Sequence, residues 1–496
     1  MALRFVLGAL LAAAAPPRLA LVAAQQIPDL SGSTTCAPGS SCYNRTVQGI
    51  VYETSQRALP GSPYYTVPLS FSEDLPPGSL LSVEVATNLR NYTVPAGLTM
   101  SRLLYTSTNL DGRVLPASAY ILWPATLPSE QPGSSNPPAF PMVAWAHGTS
   151  GIFEPCAPSN YKALQYNFMV PFALALQGMV VVAPDYAGIG VGEYPDGEPI
   201  PHVYGALPAH ANDVANAILA AREAFPILDP SPFVTAGHSQ GGAIAWSFAE
   251  RQARRPVAGY RGTLAFAAGT DFIGTVIAAN EALARGVTDP WVRASLGLVQ
   301  HSTIAGITAM VPSFNFTGMT SIVRDRFFNV ASVARTCLAA YNLLVADIPS
   351  AQLSDSSWTD TSVAQDFRKR TAAAGKEFAG PLLVIAGGAD SAVPVGFIEK
   401  AVDATCAAVD NADLEFVVYE GQDHFPVIQA SQSYWMQWIK DRLHGPKPCR
   451  SAERPRPASC VKRNVSAFRA QFNQQYITPN WLVTQAPPSA PWQYSI

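Results

Sequence analysis

The sequence predicts an α/β fold: a mostly parallel central sheet, antiparallel strands near the N-terminus and an inserted helical segment. Three observations carry this. Short apolar runs at 141–146, 178–183, 233–236, 381–386 and 414–419 read as buried parallel strands. Helical stretches at 209–225, 241–253, 394–409 and 425–443 alternate with them, and that alternation implies a parallel sheet. Residues 272–375 break the alternation, with no clear strand and several Ala-rich helical pieces.

In chain order, residues 1–24 read as a secretory signal. Arg4 supplies the positive charge, Phe5 to Ala15 the apolar stretch, and Val22-Ala23-Ala24 the small residues before a cleavage site. Pro16-Pro17 interrupts the run, which argues against a membrane span. Residues 25–77 are polar and rich in Gly and Pro, so an extended arm is expected. Alternating strands follow at 80–85, 102–108 and 119–123, each expected to keep one wetter face. The core then runs over 78–271 and resumes over 376–443, on either side of the insertion. Residues 272–375 are apolar on more than one face and are expected to form a helical cap or lid. Residues 444–496 are Pro-rich, and their aromatic residues suggest a tail that wraps the core.

The composition narrows the class. Charged residues make up 14% of the 496-residue chain, against an average of roughly 25%. The net charge of −3 provides no field for binding nucleic acid. Seven cysteines without zinc-like spacing, in a chain with a signal, point to disulfides and a secreted, extracellular protein. The expected pairs are Cys36–Cys42, Cys156–Cys337 and Cys406–Cys449, leaving Cys460 odd, with Cys449–Cys460 as a rival. Glycosylation sequons begin at Asn44, Asn91, Asn315 and Asn464.

The chemistry centres on residues 233–246. Phe233 to Ala236 reads as a strand and Ala243 onward as a helix, with Gly237-x-Ser239-x-Gly241 between them. That is the pattern of a nucleophile elbow. A serine on so sharp a turn takes strained backbone angles, and only small residues fit two positions to either side. Gly237 and Gly241 are those residues. Gln240 opens the helix, which turns its backbone N–H toward a developing oxyanion. The loop 146–151, Ala-His-Gly-Thr-Ser-Gly, follows an earlier strand and offers the Thr149 N–H as a second donor. A serine nucleophile also needs a base and an orienting acid, in the chain order Ser, Asp, His. Asp390 follows the strand 381–386, and His424 follows the strand 414–419, 34 residues later. Both lie on loops at carboxyl ends of strands, where sites in such sheets form. Asp271 is the alternative acid. Asp185 precedes the nucleophile and suits a buried hydrogen-bonding role.

Several of these segments together resemble the secretory lipase family of α/β hydrolases. They are Ala144-Trp-Ala-His-Gly-Thr-Ser-Gly151, Cys156-Ala-Pro-Ser159, Val182-Ala-Pro-Asp-Tyr-Ala-Gly-Ile-Gly190 and Gly237-His-Ser-Gln-Gly-Gly242. The resemblance covers residues 140–442, loosest over the insertion. It implies an α/β-hydrolase fold, a secreted lipase or esterase, a Ser239–Asp390–His424 triad, a helical cap and no cofactor or metal.

The expected activity is therefore hydrolysis of carboxylic esters through an acyl-enzyme. A secreted serine peptidase on the same fold, and an inactive binding module, are the alternatives. The expected partner is a small ester or lipid, with transient contact at a lipid interface and no nucleic acid. Nothing in the sequence sets the oligomeric state.

Overall fold

The computed structural model describes residues 27–58, 62–126, 140–165, 169–229, 231–353, 355–444 and 460–469. The segment read as a secretory signal, and Cys449, lie outside these residues.

Ten strands form one sheet: β1 (Leu80–Glu84), β2 (Thr99–Thr108), β3 (Val114–Trp123), β4 (Met142–Ala146), β5 (Val180–Pro184), β6 (Phe233–His238), β7 (Tyr260–Phe266), β8 (Leu382–Gly387), β9 (Leu414–Tyr419) and β10 (Val461–Val465). Their spatial order is β1-β2-β3-β5-β4-β6-β7-β8-β9-β10. The pairs β1–β2, β2–β3 and β3–β5 are antiparallel, and every pair from β5 to β10 is parallel. After β4 the chain steps outward to β5, then returns to place β6 on the other side of β4. A crevice opens at such a switch point, beyond the carboxyl ends of the strands.

Every residue of β4, β5, β6 and β8 is buried, as their continuous apolar runs require. Two helices, α2 (Leu207–Ala224) and α3 (Gln240–Arg254), cover one face with Val214, Ile218, Ile244 and Trp246. Phe172, Val427, Trp435 and Ile439 cover the other. β3 shows the period of two: Ala117, Ala119 and Ile121 face the first layer, Tyr120 and Leu122 the second. The early strands were expected to keep a wetter face, yet β2 and β3 are buried almost throughout. Polar members such as Ser101 and Arg102 are spent on internal bonds, Ser101 to Val85 O and Arg102 to Glu84.

Between β7 and β8 the chain builds its own helical unit. It includes α4 (Phe272–Ala284), α5 (Gln300–Met310), α6 (Leu338–Val345) and α7 (Ser362–Thr371). Ile304, Ile307, Val323, Phe327, Leu344 and Trp358 bury one another there.

Two expectations need correction. The arm 25–77 is not extended throughout, because Ser41–Gln56 is a helix, α1, capped by Ser40, whose side chain accepts from Tyr43 N. Its buried face is Cys42, Thr46, Gly49, Ile50 and Glu53, a helical spacing in residues too polar to read as apolar. Ile50 joins the same apolar cluster as α6. Second, Cys406 pairs with Cys460, not with Cys449. Val461–Val465 adds a parallel edge strand to β9, and this register carries Cys460 beside Cys406. Cys36–Cys42 and Cys156–Cys337 pair as expected. Among the described residues no helix is long and apolar enough to cross a membrane.

Candidate active site

Ser239 stands between β6 and α3 with φ 59° and ψ −121°, a conformation that costs a non-glycine residue strain. The flanking glycines answer a steric demand. A Cβ on Gly237 would lie 2.1 Å from Gly241 O, and one on Gly241 would lie 2.0 Å from Ala146 O. The elbow is therefore packed directly on the end of β4 and the loop that follows it. Gln240 is the first residue of α3, so its N–H lies at the positive end of that helix.

Asp390 and His424 meet across two loops. Asp390 Oδ1 accepts from Ala392 N (2.9 Å) and Val393 N (2.8 Å), while Oδ2 accepts from His424 Nδ1 (2.8 Å). Donation from Nδ1 to Asp390 leaves Nε2 as the acceptor nitrogen of a neutral His424 ring. Both residues are buried. His424 also lies against the elbow: His238 Nε2 donates to His424 O (2.9 Å), and the two ring centroids are 4.5 Å apart. Burial pushes the His238 imidazole well below its ordinary pKa, so it stays neutral.

Asp423 adjoins His424 in sequence and is a weak candidate for the acid on that ground; its role as a tie between the two loops was not anticipated. Its Oδ1 accepts from Ser391 N (2.8 Å), Ser391 Oγ (2.8 Å) and His424 N (2.7 Å), tying the two loops together. Lying beside His424 in sequence, it cannot easily reach the ring but is well placed for the backbone. Asp271, the alternative acid, is otherwise engaged. It caps α4 through Gly274 N and forms a two-pronged pair with Arg368 (2.6 Å at the shortest).

The loop after β4 carries Thr149. His147 is buried, and burial pushes its imidazole down to about 4, so it is neutral at pH 7. Its Nδ1 donates to Gly148 O (2.7 Å), and its ring stacks on Tyr186 at 4.2 Å. Asp185 is fully buried and accepts from Ser118 Oγ, Ser159 N and Ser159 Oγ. Loss of solvent pushes its pKa up to about 6. Cys156–Cys337 closes on the far side of this loop, where Gly151 also pairs with Cys337. The asparagines of all four sequons, Asn44, Asn91, Asn315 and Asn464, are exposed.

A cleft of about 980 Å³ opens between the inserted helices and the core. Tyr65, Val67, Ile200, Phe316, Phe327 and Phe328 line it, and Arg335 at its edge is paired with Glu154. Ser239 is not among its lining residues.

A sheet of this order, with a strained serine after β6 and an Asp–His pair after β8 and β9, defines a class. The profile of the Alpha/beta hydrolase family matches residues 143–434, well over half of the chain. The protein belongs to that family. Among solved structures it is similar to the rice cell wall degrading esterase LipA from Xanthomonas oryzae, at 15% identity and a TM-score of 0.56 over 74% of this chain and 98% of that one. It is also similar to Candida antarctica lipase A in its closed state, at 17% identity and a TM-score of 0.58 over 79% and 88%. Comparison with curated protein sequences gives no match.

Proposed function

We propose that this protein is a secreted hydrolase of carboxylic esters, acting through an acyl-enzyme on Ser239. The observation that carries the reading is the Asp390–His424 hydrogen bond beside the strained Ser239 elbow. Ser239 Oγ attacks the acyl carbon while His424 Nε2 takes its proton. The oxyanion accepts from the N–H groups of Gln240 and Thr149. His424 then returns the proton to the leaving alcohol, and water repeats the sequence to free the acid. Asp390 holds the imidazole in one tautomer and balances its charge. No step calls for a metal or cofactor. Ester chemistry is favoured over amide chemistry because two structures of this fold, at low identity, are those of an esterase and a lipase.

The preferred esters are uncharged, with medium or long acyl chains. The inserted helices present aromatic side chains to the cleft, and Arg335 there is already neutralised by Glu154. Ser239 lies outside this cleft, so the preference rests on the apolar side chains of the inserted helices, which pack against the Thr149 loop where Leu338 N donates to Ser150 O. Disulfides and exposed sequons support the extracellular assignment.

The test joins fluorophosphonate labelling to a substrate panel. Labelling is expected in the wild type and lost in Ser239→Ala. p-Nitrophenyl esters from acetate to palmitate, and emulsified triglyceride, should be turned over in preference to aminoacyl-amides. A steady fall in kcat/KM from acetate onward, with no triglyceride turnover, would leave a short-chain esterase. Turnover of the amides alone would make the protein a peptidase.

A further inference from the structure

The loop of Thr149 is held at four successive carbonyls. His147 O accepts from the Tyr186 hydroxyl (2.9 Å), Gly148 O from His147 Nδ1 (2.7 Å), Thr149 O from Gln165 Nε2 (3.1 Å) and Ser150 O from Leu338 N of α6 (2.9 Å). Of residues 146–151, only Thr149 is not buried. Ser239 is likewise partly open. Thr149 is thus the one residue of this loop with an accessible side chain, and that side chain carries a hydroxyl.

That hydroxyl has a partner. Thr149 Oγ1 lies 2.8 Å from the Tyr204 hydroxyl. Tyr204 is 1% exposed, and burial pushes its phenol up to about 12, so it carries its proton at any working pH. A phenol is a far stronger acid than an aliphatic alcohol, so Tyr204 donates and Thr149 accepts. Thr149 keeps its own proton for a further acceptor. Tyr204 is itself fixed by the inserted helices. Its backbone N and O would lie 2.9 Å from a Cβ on Gly306 of α5, and its ring is 5.2 Å from Phe272, the first residue of α4.

We propose that the Thr149 side-chain hydroxyl is a third donor to the oxyanion, and that Tyr204 is the positioning residue that orients it. The proposal rests on Ser239 being the nucleophile. No proton changes owner in the step. Tyr204 O–H···Oγ1–H···oxyanion is a chain of hydrogen bonds, and each link strengthens as negative charge develops on the substrate oxygen. The inserted helices would thereby support the catalytic geometry as well as cover the core.

The experiment compares Thr149→Val, Thr149→Ser, Tyr204→Phe and the double variant Thr149→Val/Tyr204→Phe. The readouts are kcat and KM on p-nitrophenyl butyrate, Tm, and fluorophosphonate labelling. Thr149→Val keeps the backbone donor and removes only the hydroxyl. It should lower kcat by about 10²-fold, the lower end of the loss for one oxyanion donor, with KM little changed. Thr149→Ser should recover most of kcat. Tyr204→Phe should lower kcat by roughly 10-fold at unchanged KM, and should cost nothing further on Thr149→Val, because the two act as one unit. A folded Thr149→Val with wild-type kcat would overturn the proposal. So would a Tyr204→Phe loss that persists in full on the Thr149→Val background. Failure of the wild type to label at Ser239 would instead overturn the assignment of the nucleophile.

Discussion

Asp390 and Asp271 are both aspartates just beyond the carboxyl end of a parallel strand, and their environments separate them. Asp390 gives one oxygen to two backbone N–H groups and the other to His424. Asp271 gives its oxygens to Arg368 and to the start of α4. His424→Ala should lower kcat by about four to six orders of magnitude with little change in Tm. Asp390→Asn should lower kcat by about four orders, because the amide favours the wrong tautomer of His424. Asp271→Asn should keep kcat within about two-fold and cost under about 1 kcal/mol, since its ion pair is partly exposed. Steady-state kinetics and thermal melts of the three variants check this, and a dead Asp271→Asn beside an active Asp390→Asn would exchange their roles. The sequence carried enough to rank the two, through chain order and strand context. What occupies Asp271 lies 97 residues away in Arg368, and no local pattern announces such a pairing. Tyr204 and Gln165 were missed for the same reason: their value lies in a contact with Thr149, not in any spacing.

At the scale of elements, strands with unbroken apolar runs were legible because burial on both faces leaves no other composition open to them. α1 and β10 were not. α1 is built from Ser, Thr, Gln and Gly around a narrow buried stripe, and β10 is Val-Lys-Arg-Asn-Val, apolar only at its ends. Missing β10 is also what misdirected Cys406 toward Cys449. Non-reducing peptide mapping should recover Cys406 linked to Cys460, and a Cys406–Cys449 peptide would overturn that pairing. α1 contributes more than cover. Its Glu53 is buried, and its carboxylate accepts from Cys337 N (2.9 Å) and Ala340 N (2.8 Å), the start of α6. Burial raises the Glu53 pKa even though those N–H groups oppose the shift. Glu53→Ala would leave two buried donors without an acceptor, at about 2–4 kcal/mol in total. Chemical denaturation should show that loss, while Glu53→Gln, which keeps one acceptor oxygen, should lose less. Equal stability of Glu53→Ala and wild type would mean that water replaces the carboxylate without cost.

Across the whole molecule, the buried histidines set the response to acid. Burial holds His147 and His301 near pKa 4 and drives His202 and His238 well below the ordinary value. For a histidine with a depressed folded pKa, the stability is present above the unfolded value, about 6.5, and is lost as pH falls toward the folded value. Asp185 and Glu250, each raised to about 6, act in the opposite sense and favour the fold as pH drops through 6, and Glu53, raised by burial, acts in the same direction as these two. Hydrogen-bonded carboxylates with lowered pKa values, Asp325 and Asp347 among them, add to the acid loss at lower pH. Tm should therefore fall between pH 7.5 and 4.5, by roughly 5 °C or more. His301 allows the account to be tested at one position. Its Nε2–H donates to Leu353 O (2.8 Å), and its Nδ1 accepts from the Tyr341 hydroxyl (2.8 Å), so the neutral ring is fully bonded within the inserted helices. Protonation would place a second N–H against a hydroxyl that must then turn away. His301→Gln should lower Tm at pH 7.5, because the packing is imperfect, yet reduce the drop between pH 7.5 and 4.5, because one titrating group is gone. Scanning calorimetry at both pH values measures the two effects separately. A variant with lower Tm and an undiminished acid drop would show that His301 takes no part in the pH dependence.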